Sequence, residues 1–251
     1  MSQENSSKNL FALNAMDSSN IPKHIAVFFD GNRRWARERG LDPMEGHLAG
    51  YRKAVEFTDW CIEKGIRCFT GYGFSTENWN RAEREVSYLM QLLEVALKDQ
   101  FRKYVEDPVG KRQGVRIRVI GQKERLPESL QKAILKAEEG TRQNDKFFLN
   151  LAVSYGGRWD ILQAVRSIVG NGIPPNDITE ELFSQYLSCA GLPDPDLMIR
   201  FGGEQRLSNF LLWQQAYTEL YFSSKYWPDV TEQDLDEALA EYARRQRRFG
   251  Q

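Results

Sequence analysis

Apolar positions along the chain fall into two alternating rhythms. Short runs rich in Ile, Val, Phe and Leu recur as "HIAVFF" (24–29), "IRCFTGYGF" (66–74), "VRIRVIG" (115–121), "FFLNLAVSY" (147–155) and "DLMIR" (196–200). Each is predicted to be a strand. Between them apolar residues recur at helical spacing. Tyr51, Ala54, Val55, Thr58, Cys61 and Ile62 form one stripe, and Val86, Leu89, Met90, Leu93, Ala96, Leu97 and Phe101 form a longer one. "PESLQKAILKAEEG", "WDILQAVRSIV" and "TEELFSQYLSCAG" supply further helices, and the acidic, Ala-rich "TEQDLDEALAEYARRQRRFG" closes the chain. Strands alternating with helices predict an α/β fold, a largely parallel central sheet with helices on both faces. No Pro-, Gly- or Ser-rich linker divides the pattern and no internal repeat is visible. One domain spanning 21–251 is therefore expected behind a polar, disordered tail at 1–20.

Composition narrows the chemistry. A chain of 251 residues that is 41% hydrophobic buries a substantial core without staples. Its 34 basic and 35 acidic residues leave a formal charge of −1, so no global field points to nucleic acid or a membrane surface. Any cationic site must be local. The three cysteines lie in apolar stretches and read as reduced thiols of a cytoplasmic protein. Two histidines are too few for a zinc site of His and Cys. The start of the chain has no basic region followed by an apolar one, and no apolar run approaches the roughly 20 residues of a membrane span.

Ligands of open α/β sheets bind beyond the carboxyl ends of the strands, and three polar stretches stand there. In "DGNRRW", Gly31 and Asn32 let the backbone turn and start a helix, while Arg33 and Arg34 offer cationic forks for phosphate oxygens. Asp30 would repel such an anion unless a divalent cation lay between them, and Mg²⁺ is the usual bridge. A solvated turn is the plainer reading. In "FSTENWNR", Ser75, Thr76, Glu77, Asn78 and Arg81 offer donors and acceptors, and Phe74 and Trp79 offer apolar faces. An ordinary polar loop with Trp79 turned inward is the alternative. In "RFGGEQRLSNF", Arg200 ends a strand, Gly202 and Gly203 permit close approach, and Arg206 with Ser208 opens the next helix as a second anion cradle. Glu219, in the nearly uncharged "AYTELYF", is a metal ligand, an arginine's partner or an exposed carboxylate. In "SYGGRWD" the glycines serve the strand-to-helix turn, and Asp160 pairs with Arg158 or caps the helix. Two phosphate cradles with one or two metal-binding carboxylates imply two phosphorylated substrates. No P-loop and no GxGxxG is present, so these substrates carry no nucleotide.

"HIAVFFDGNRRWA", "GHLAGY", "FSTENWNR", "LNLAVSYGGRWD" and "IRFGGEQRLSNFLLWQQAYTELYF" together resemble the cis-prenyltransferases of the undecaprenyl (di-trans, poly-cis) diphosphate synthase type. The likeness runs from Ile21 to Phe249 with the blocks in order. It implies a homodimeric, Mg²⁺-dependent enzyme that extends an allylic diphosphate, such as a farnesyl diphosphate-like primer, with isopentenyl diphosphate to give Z double bonds. It also implies an elongated apolar tunnel and peripheral membrane contact through the lipid product. Carried over by position, Asp30 is the catalytic Mg²⁺-linked carboxylate, and Gly31, Asn32, Arg33 and Arg34 cradle the allylic diphosphate, with His47 and Trp35 beside it. Ser75, Thr76, Glu77, Asn78, Trp79 and Arg81 form the loop that orders over the substrates, with Asn78 as a proton acceptor. Arg200, Arg206, Leu207 and Ser208 match the isopentenyl diphosphate site, and Glu219 completes the metal environment.

Departures from the family pattern bear on the product. Pro43 stands where many members carry an arginine, Tyr51 where small residues are common, and Phe147 where a leucine marks the tunnel floor. Bulk at those positions would stop elongation early, whereas Gly71 and Gly73 would open space. The alternatives are a short-chain or branching, lavandulyl-like synthase and, more distantly, a non-catalytic lipid-binding subunit. A phosphatase using Asp30 as nucleophile would need an acid at position 32, where Asn32 stands.

Overall fold

The computed structural model describes residues 21–106 and 113–245. The expected tail at 1–20 lies outside the described residues. Six strands form one sheet in the order β3-β4-β2-β1-β5-β6, and every pairing is parallel. The strands are β1 (His24–Phe28), β2 (Cys68–Ser75), β3 (Val115–Ile120), β4 (Phe147–Tyr155), β5 (Leu197–Arg200) and β6 (Glu219–Phe222). The last was not predicted. Its four residues are only half-buried at the sheet edge, and its apolar run is short, Leu220, Tyr221 and Phe222.

Helices α1 (Asn32–Glu38), α2 (Pro43–Glu63), α3 (Glu83–Phe101), α4 (Glu128–Gly140), α5 (Gly157–Gly170), α6 (Glu180–Gln185) and α7 (Glu232–Arg244) complete the layers. One sheet face, with Val27, Phe69, Leu149 and Ile199, packs on Phe57 of α2, Leu97 of α3, Ile134 of α4 and Leu235 of α7. The other, with Ala26, Phe28, Ala152 and Met198, packs on Tyr155, Phe210 and Leu211. Two predicted helices are shorter or missing. "TEELFSQYLSCAG" is helical only over Glu180–Gln185. Residues 201–218 form turns, because Ser208, Asn209 and Leu211 adopt left-handed backbones that interrupt a right-handed helix.

Strand order fixes where a ligand can enter. From β1 the chain moves to β2 on one side, and later elements return to place β5 on the other, so the order reverses at β1. A crevice opens at such a switch point beyond the carboxyl ends of the strands. Phe28 and Arg200 are register partners there, so Asp30 and Arg200 are brought side by side.

Beneath the second face lies a buried polar chain. His24 contacts the Pro193 carbonyl through Nδ1 at 2.7 Å and the Thr70 hydroxyl through Nε2 at 2.8 Å. Asn150 in turn donates to Thr70 at 3.1 Å. Burial drives the His24 pKa down to about 4, against the raising pull of Pro193 and Asp196. In the unfolded chain the ring would titrate near 6.5. Between those values the unfolded state binds the extra proton, so stability falls as pH falls through this window. A loss of about 2 kcal/mol from His24 is expected between pH 7 and pH 5. Urea denaturation at the two pH values measures it, and a His24→Gln variant should lose that part of the slope.

Candidate active site

The turn after β1 carries Asp30 into a ring of donors. Gly31 takes a φ of 97°, and a Cβ there would lie 2.7 Å from the Tyr226 ring, so conformation and close approach both demand glycine. The Gly31 amide donates to Asp30 Oδ1 at 2.7 Å. Behind the turn, the Trp227 amide donates to the Asp30 carbonyl at 3.0 Å, and the Trp35 indole donates to Asp229 at 2.6 Å.

Arg200 reaches the same carboxylate from β5, donating from Nη2 to Asp30 Oδ2 at 2.8 Å. Its Nη1 donates to the Ser208 hydroxyl at 2.8 Å and to the Arg206 carbonyl. The guanidinium sits 4.4 Å from the centre of the Phe28 ring. Arg34 lies 3.4 Å from Asp30 and 3.4 Å from Glu204. Asp30 thus stands between the two expected cradles.

A second charged cluster gathers around Glu85 on α3. It accepts from Arg81 at 3.0 Å, pairs with His47 Nε2 at 3.1 Å, and lies 3.8 Å from Arg33. Burial lowers the His47 pKa in spite of the opposing pull of Glu85. Glu85 therefore holds two guanidinium groups and an imidazole in one place, with Arg33 still more than half exposed at 57%.

Both clusters open into one cavity of about 1080 Å³. Its polar end is lined by Asp30, Arg33, Arg34, His47, Arg81 and Arg200. Its apolar body is lined by Ala54 and Val55 of α2, Leu93 and Leu97 of α3, and Leu149 and Leu151 of β4. Such a chamber suits an anionic headgroup on a hydrocarbon chain.

The comparisons with known proteins agree. Residues 28–250 match the family model described as "Putative undecaprenyl diphosphate synthase". This chain belongs to the cis-prenyltransferase family. A tritrans,polycis-undecaprenyl-diphosphate synthase (geranylgeranyl-diphosphate specific) of Thermococcus kodakarensis is 46% identical, over 96% of this chain and 91% of the relative. A ditrans,polycis-undecaprenyl-diphosphate synthase ((2E,6E)-farnesyl-diphosphate specific) of Legionella pneumophila is 45% identical, over 92% of this chain and 96% of the relative. The crystal structure of lavandulyl diphosphate synthase from Lavandula x intermedia, in complex with dimethylallyl diphosphate, superposes with a TM-score of 0.87 at 41% identity, covering 93% of this chain and all of that one (100%).

Within this cis-prenyltransferase the expected residues separate into two groups. Besides the six at the polar end, Gly31, Asn32, Ser75, Glu77, Asn78, Arg206 and Ser208 line the cavity. Trp35, Thr76, Trp79, Leu207 and Glu219 do not. Trp35 is committed to Asp229, and Arg39 lies 4.5 Å over its ring. Trp79 packs edge-on against Phe74 and donates to Ser154 at 2.9 Å, the inward alternative for that loop. Leu207 packs on the Phe210 cluster, and Thr76 donates to Glu77 at 3.0 Å. Glu219 begins β6 beside Leu197, at the far end of the strand from Arg200, and accepts from Arg245 at 3.0 Å. Of the readings left open for it, the chain by itself realises the arginine's partner.

Other expectations need correction. The second cradle is not a helix N-terminus but a turn with left-handed residues at Gly202, Gly203, Ser208 and Asn209. Gly71 opens no space, since a Cβ there would lie 2.2 Å from the Phe29 ring, which already fills the gap. Phe147 is buried at the start of β4, 3% exposed and outside the cavity lining, and Leu149, Ile117 and Tyr104 line it in that region. Of the two apolar stripes, Ala54, Val55, Leu93 and Leu97 line the cavity, while Cys61, Ile62, Val86 and Met90 pack in the core. Asp160 neither pairs with Arg158 nor caps α5. It is buried and accepts from Tyr155 at 2.9 Å and from the Ser188 hydroxyl at 2.6 Å.

Sequence reasoning missed Glu85, whose four-residue spacing from Arg81 was the available signal. Asn209 was missed too, because its role depends on a contact 132 residues away. Among the described residues, no helix is long and apolar enough to cross a membrane, and no three His, Cys, Asp or Glu side chains group as a metal site. Asp30 and Glu77 are the carboxylates that line the cavity. One carboxylate beside a diphosphate is a donor set that suits Mg²⁺, which usually keeps several waters.

Proposed function

We propose that this chain condenses isopentenyl diphosphate with an allylic diphosphate and releases a Z-polyprenyl diphosphate. The observation that carries the reading is the single cavity joining two cationic cradles to an apolar chamber. In this reading the allylic headgroup lies between Arg33, Arg34 and Arg81, and isopentenyl diphosphate lies against Arg206 and Ser208. Asp30 would hold Mg²⁺, which when bound neutralises charge on the leaving diphosphate. Arg33 and Arg34 stabilise that charge as the allylic bond breaks, at fixed positions that need no reorganisation. Asn78 is the group placed to take the proton lost from isopentenyl diphosphate, and its Oδ1 is held by the Ser75 amide at 3.1 Å. The lengthening hydrocarbon extends between α2 and α3.

The metal role implied for Glu219 needs the second subunit of a homodimer. Leu162, Val165 and Val169 on α5, 53%, 43% and 70% exposed, give such an association an apolar face. A farnesyl or geranylgeranyl primer is supported by the names of the Legionella and Thermococcus relatives. A short-chain or branching product is the second reading. It is favoured by the likeness to lavandulyl diphosphate synthase and by Pro43 and Tyr51 in the cavity wall. Incubation of each labelled allylic diphosphate, with and without isopentenyl diphosphate, tests the proposal. A ladder of longer Z-prenyl products that requires isopentenyl diphosphate supports the first reading, a short product or a branched C10 product formed from the allylic diphosphate alone replaces it with the second, and the absence of any prenyl product overturns both.

Tyr51 provides a finer test. Its hydroxyl donates to Asp99 at 3.0 Å and accepts from Gln100 at 3.0 Å, tying α2 to α3 across the cavity. Tyr51→Ala removes both the bulk and the tie. Products at least one isoprene unit longer than those of the parent are expected by chromatography, with turnover retained.

A further inference from the structure

The turn bearing the second cradle reaches the loop of Ser75, Glu77, Asn78 and Arg81 through the side chain of Asn209. Asn209 follows Ser208, and both hold left-handed backbones, at φ 62° and 43°. Residues other than glycine keep that conformation only where their surroundings impose it. Here the surroundings form a three-way clasp. The Asn209 carbonyl accepts from the Gly157 amide at 2.6 Å, and Oδ1 accepts from the Arg158 amide at 2.9 Å. Both bonds satisfy free N–H groups at the start of α5. The third bond leaves that helix, since Nδ2 donates to Glu77 Oε1 at 2.9 Å. The packing has no slack. A Cβ on Gly156 would lie 2.6 Å from Asn209 Nδ2 and 2.7 Å from Thr76 Oγ1. The first glycine of "SYGGRWD" is thus required by the approach of the 76–80 turn to Asn209.

We propose that Asn209 is a positioning residue for the transfer reaction, clasping Glu77 so that the turn carrying Asn78 and Arg81 is set against the Arg200 cradle. The inference rests on the prenyl transfer proposed above and assigns a residue to its geometry. Ser208 accepts from Arg200 at 2.8 Å, and Asn209 is its neighbour. A diphosphate that orders the Arg200–Ser208 turn therefore acts on Asn78 through two peptide units and one hydrogen bond. Burial pushes the Glu77 carboxyl up, but bonds from Asn209 and Thr76 outweigh it and hold the group below its ordinary range. Glu77 is accordingly an ionised acceptor for the clasp.

The test is a double-mutant cycle of Asn209→Asp, Glu77→Gln and the two combined. Asn209→Asp keeps an acceptor for the Arg158 amide, so α5 stays capped, but sets a carboxylate against Glu77. In the combined variant the amide introduced at position 77 donates to the carboxylate introduced at position 209, and the clasp returns with its polarity reversed. Two readouts are taken, steady-state kcat with KM for each diphosphate, and hydrogen–deuterium exchange of the unliganded protein. In Asn209→Asp, exchange in the 75–81 peptide is expected to rise about tenfold while the 157–170 peptide is unchanged, and kcat is expected to fall about tenfold or more. The combined variant should recover most of both. Unchanged exchange at 75–81, unchanged kcat in Asn209→Asp, or a combined variant no better than the product of the single effects overturns the proposal. Exchange does not depend on turnover. A parent chain that transfers no prenyl group would remove the positioning role with the proposed function, while exchange would still decide whether the clasp exists.

Discussion

An Asp30→Asn variant is expected to lose about 10³-fold in turnover while its melting temperature falls by about 5 °C or less. Two different properties of the carboxylate produce these two effects. Its charge makes Asp30 suited to a divalent cation facing a diphosphate, and an amide has no such charge. Its shape holds the turn, through the Gly31 amide and Arg200. Asparagine retains that shape and an acceptor for one of the two donors. Alanine would be a poorer test. Arg200 is 4% exposed and Asp30 31% exposed, so truncation leaves Nη2 of the buried guanidinium without its acceptor as well as without its counter-charge, at a cost of about 3 kcal/mol. Labelled isopentenyl diphosphate incorporation and calorimetry on the same preparation check both halves. Turnover within tenfold of the parent would refute the central role of Asp30.

Arg200→Lys should cost about 10²-fold in kcat/KM even though the positive charge is kept. The guanidinium joins three groups at once: Asp30, Ser208 and the Arg206 carbonyl. An ammonium is a point charge on a different stem and cannot span that fork. Loss of one charge-assisted bond of about 1.5–3 kcal/mol accounts for the size of the effect. If Arg200 acts through Asp30, the Asp30→Asn/Arg200→Lys pair should be scarcely worse than Asp30→Asn alone, because residues acting as a unit are not additive. Fully additive losses would instead make Arg200 an independent contact to substrate. Steady-state kinetics on the three variants separates the two.

The fold was largely legible because its signals are local. Five of the six strands were marked by apolar runs, and α2 and α3 by stripes at helical spacing. β6 carried a weaker mark, three apolar residues after Glu219 at a half-buried sheet edge. The 201–218 segment misled for a different reason. Its composition permits a helix, and the left-handed residues that prevent one are imposed by Arg200 and by the start of α5.

At the site, residue types were readable but their directions were not. "DGNRRW" announced an anionic ligand because a strand ending in Asp, Gly and paired arginines has little structural need for so much charge. The same reasoning could not show that Trp79 turns toward Ser154, that Phe29 fills the space above Gly71, or that Glu85 gathers His47, Arg81 and Arg33.

The alternating α/β order, the position of the chemistry at strand ends, and the family were legible in the chain alone. Those properties follow from periodicity and from residue types adjacent in the chain. It took the packing of distant segments to show that Asp30 and Arg200 share one bond 170 residues apart, that α2 and α3 leave a cavity between them, and that Asn209 clasps Glu77. These depend on strand order and on the volumes of side chains from distant segments, which no local pattern encodes.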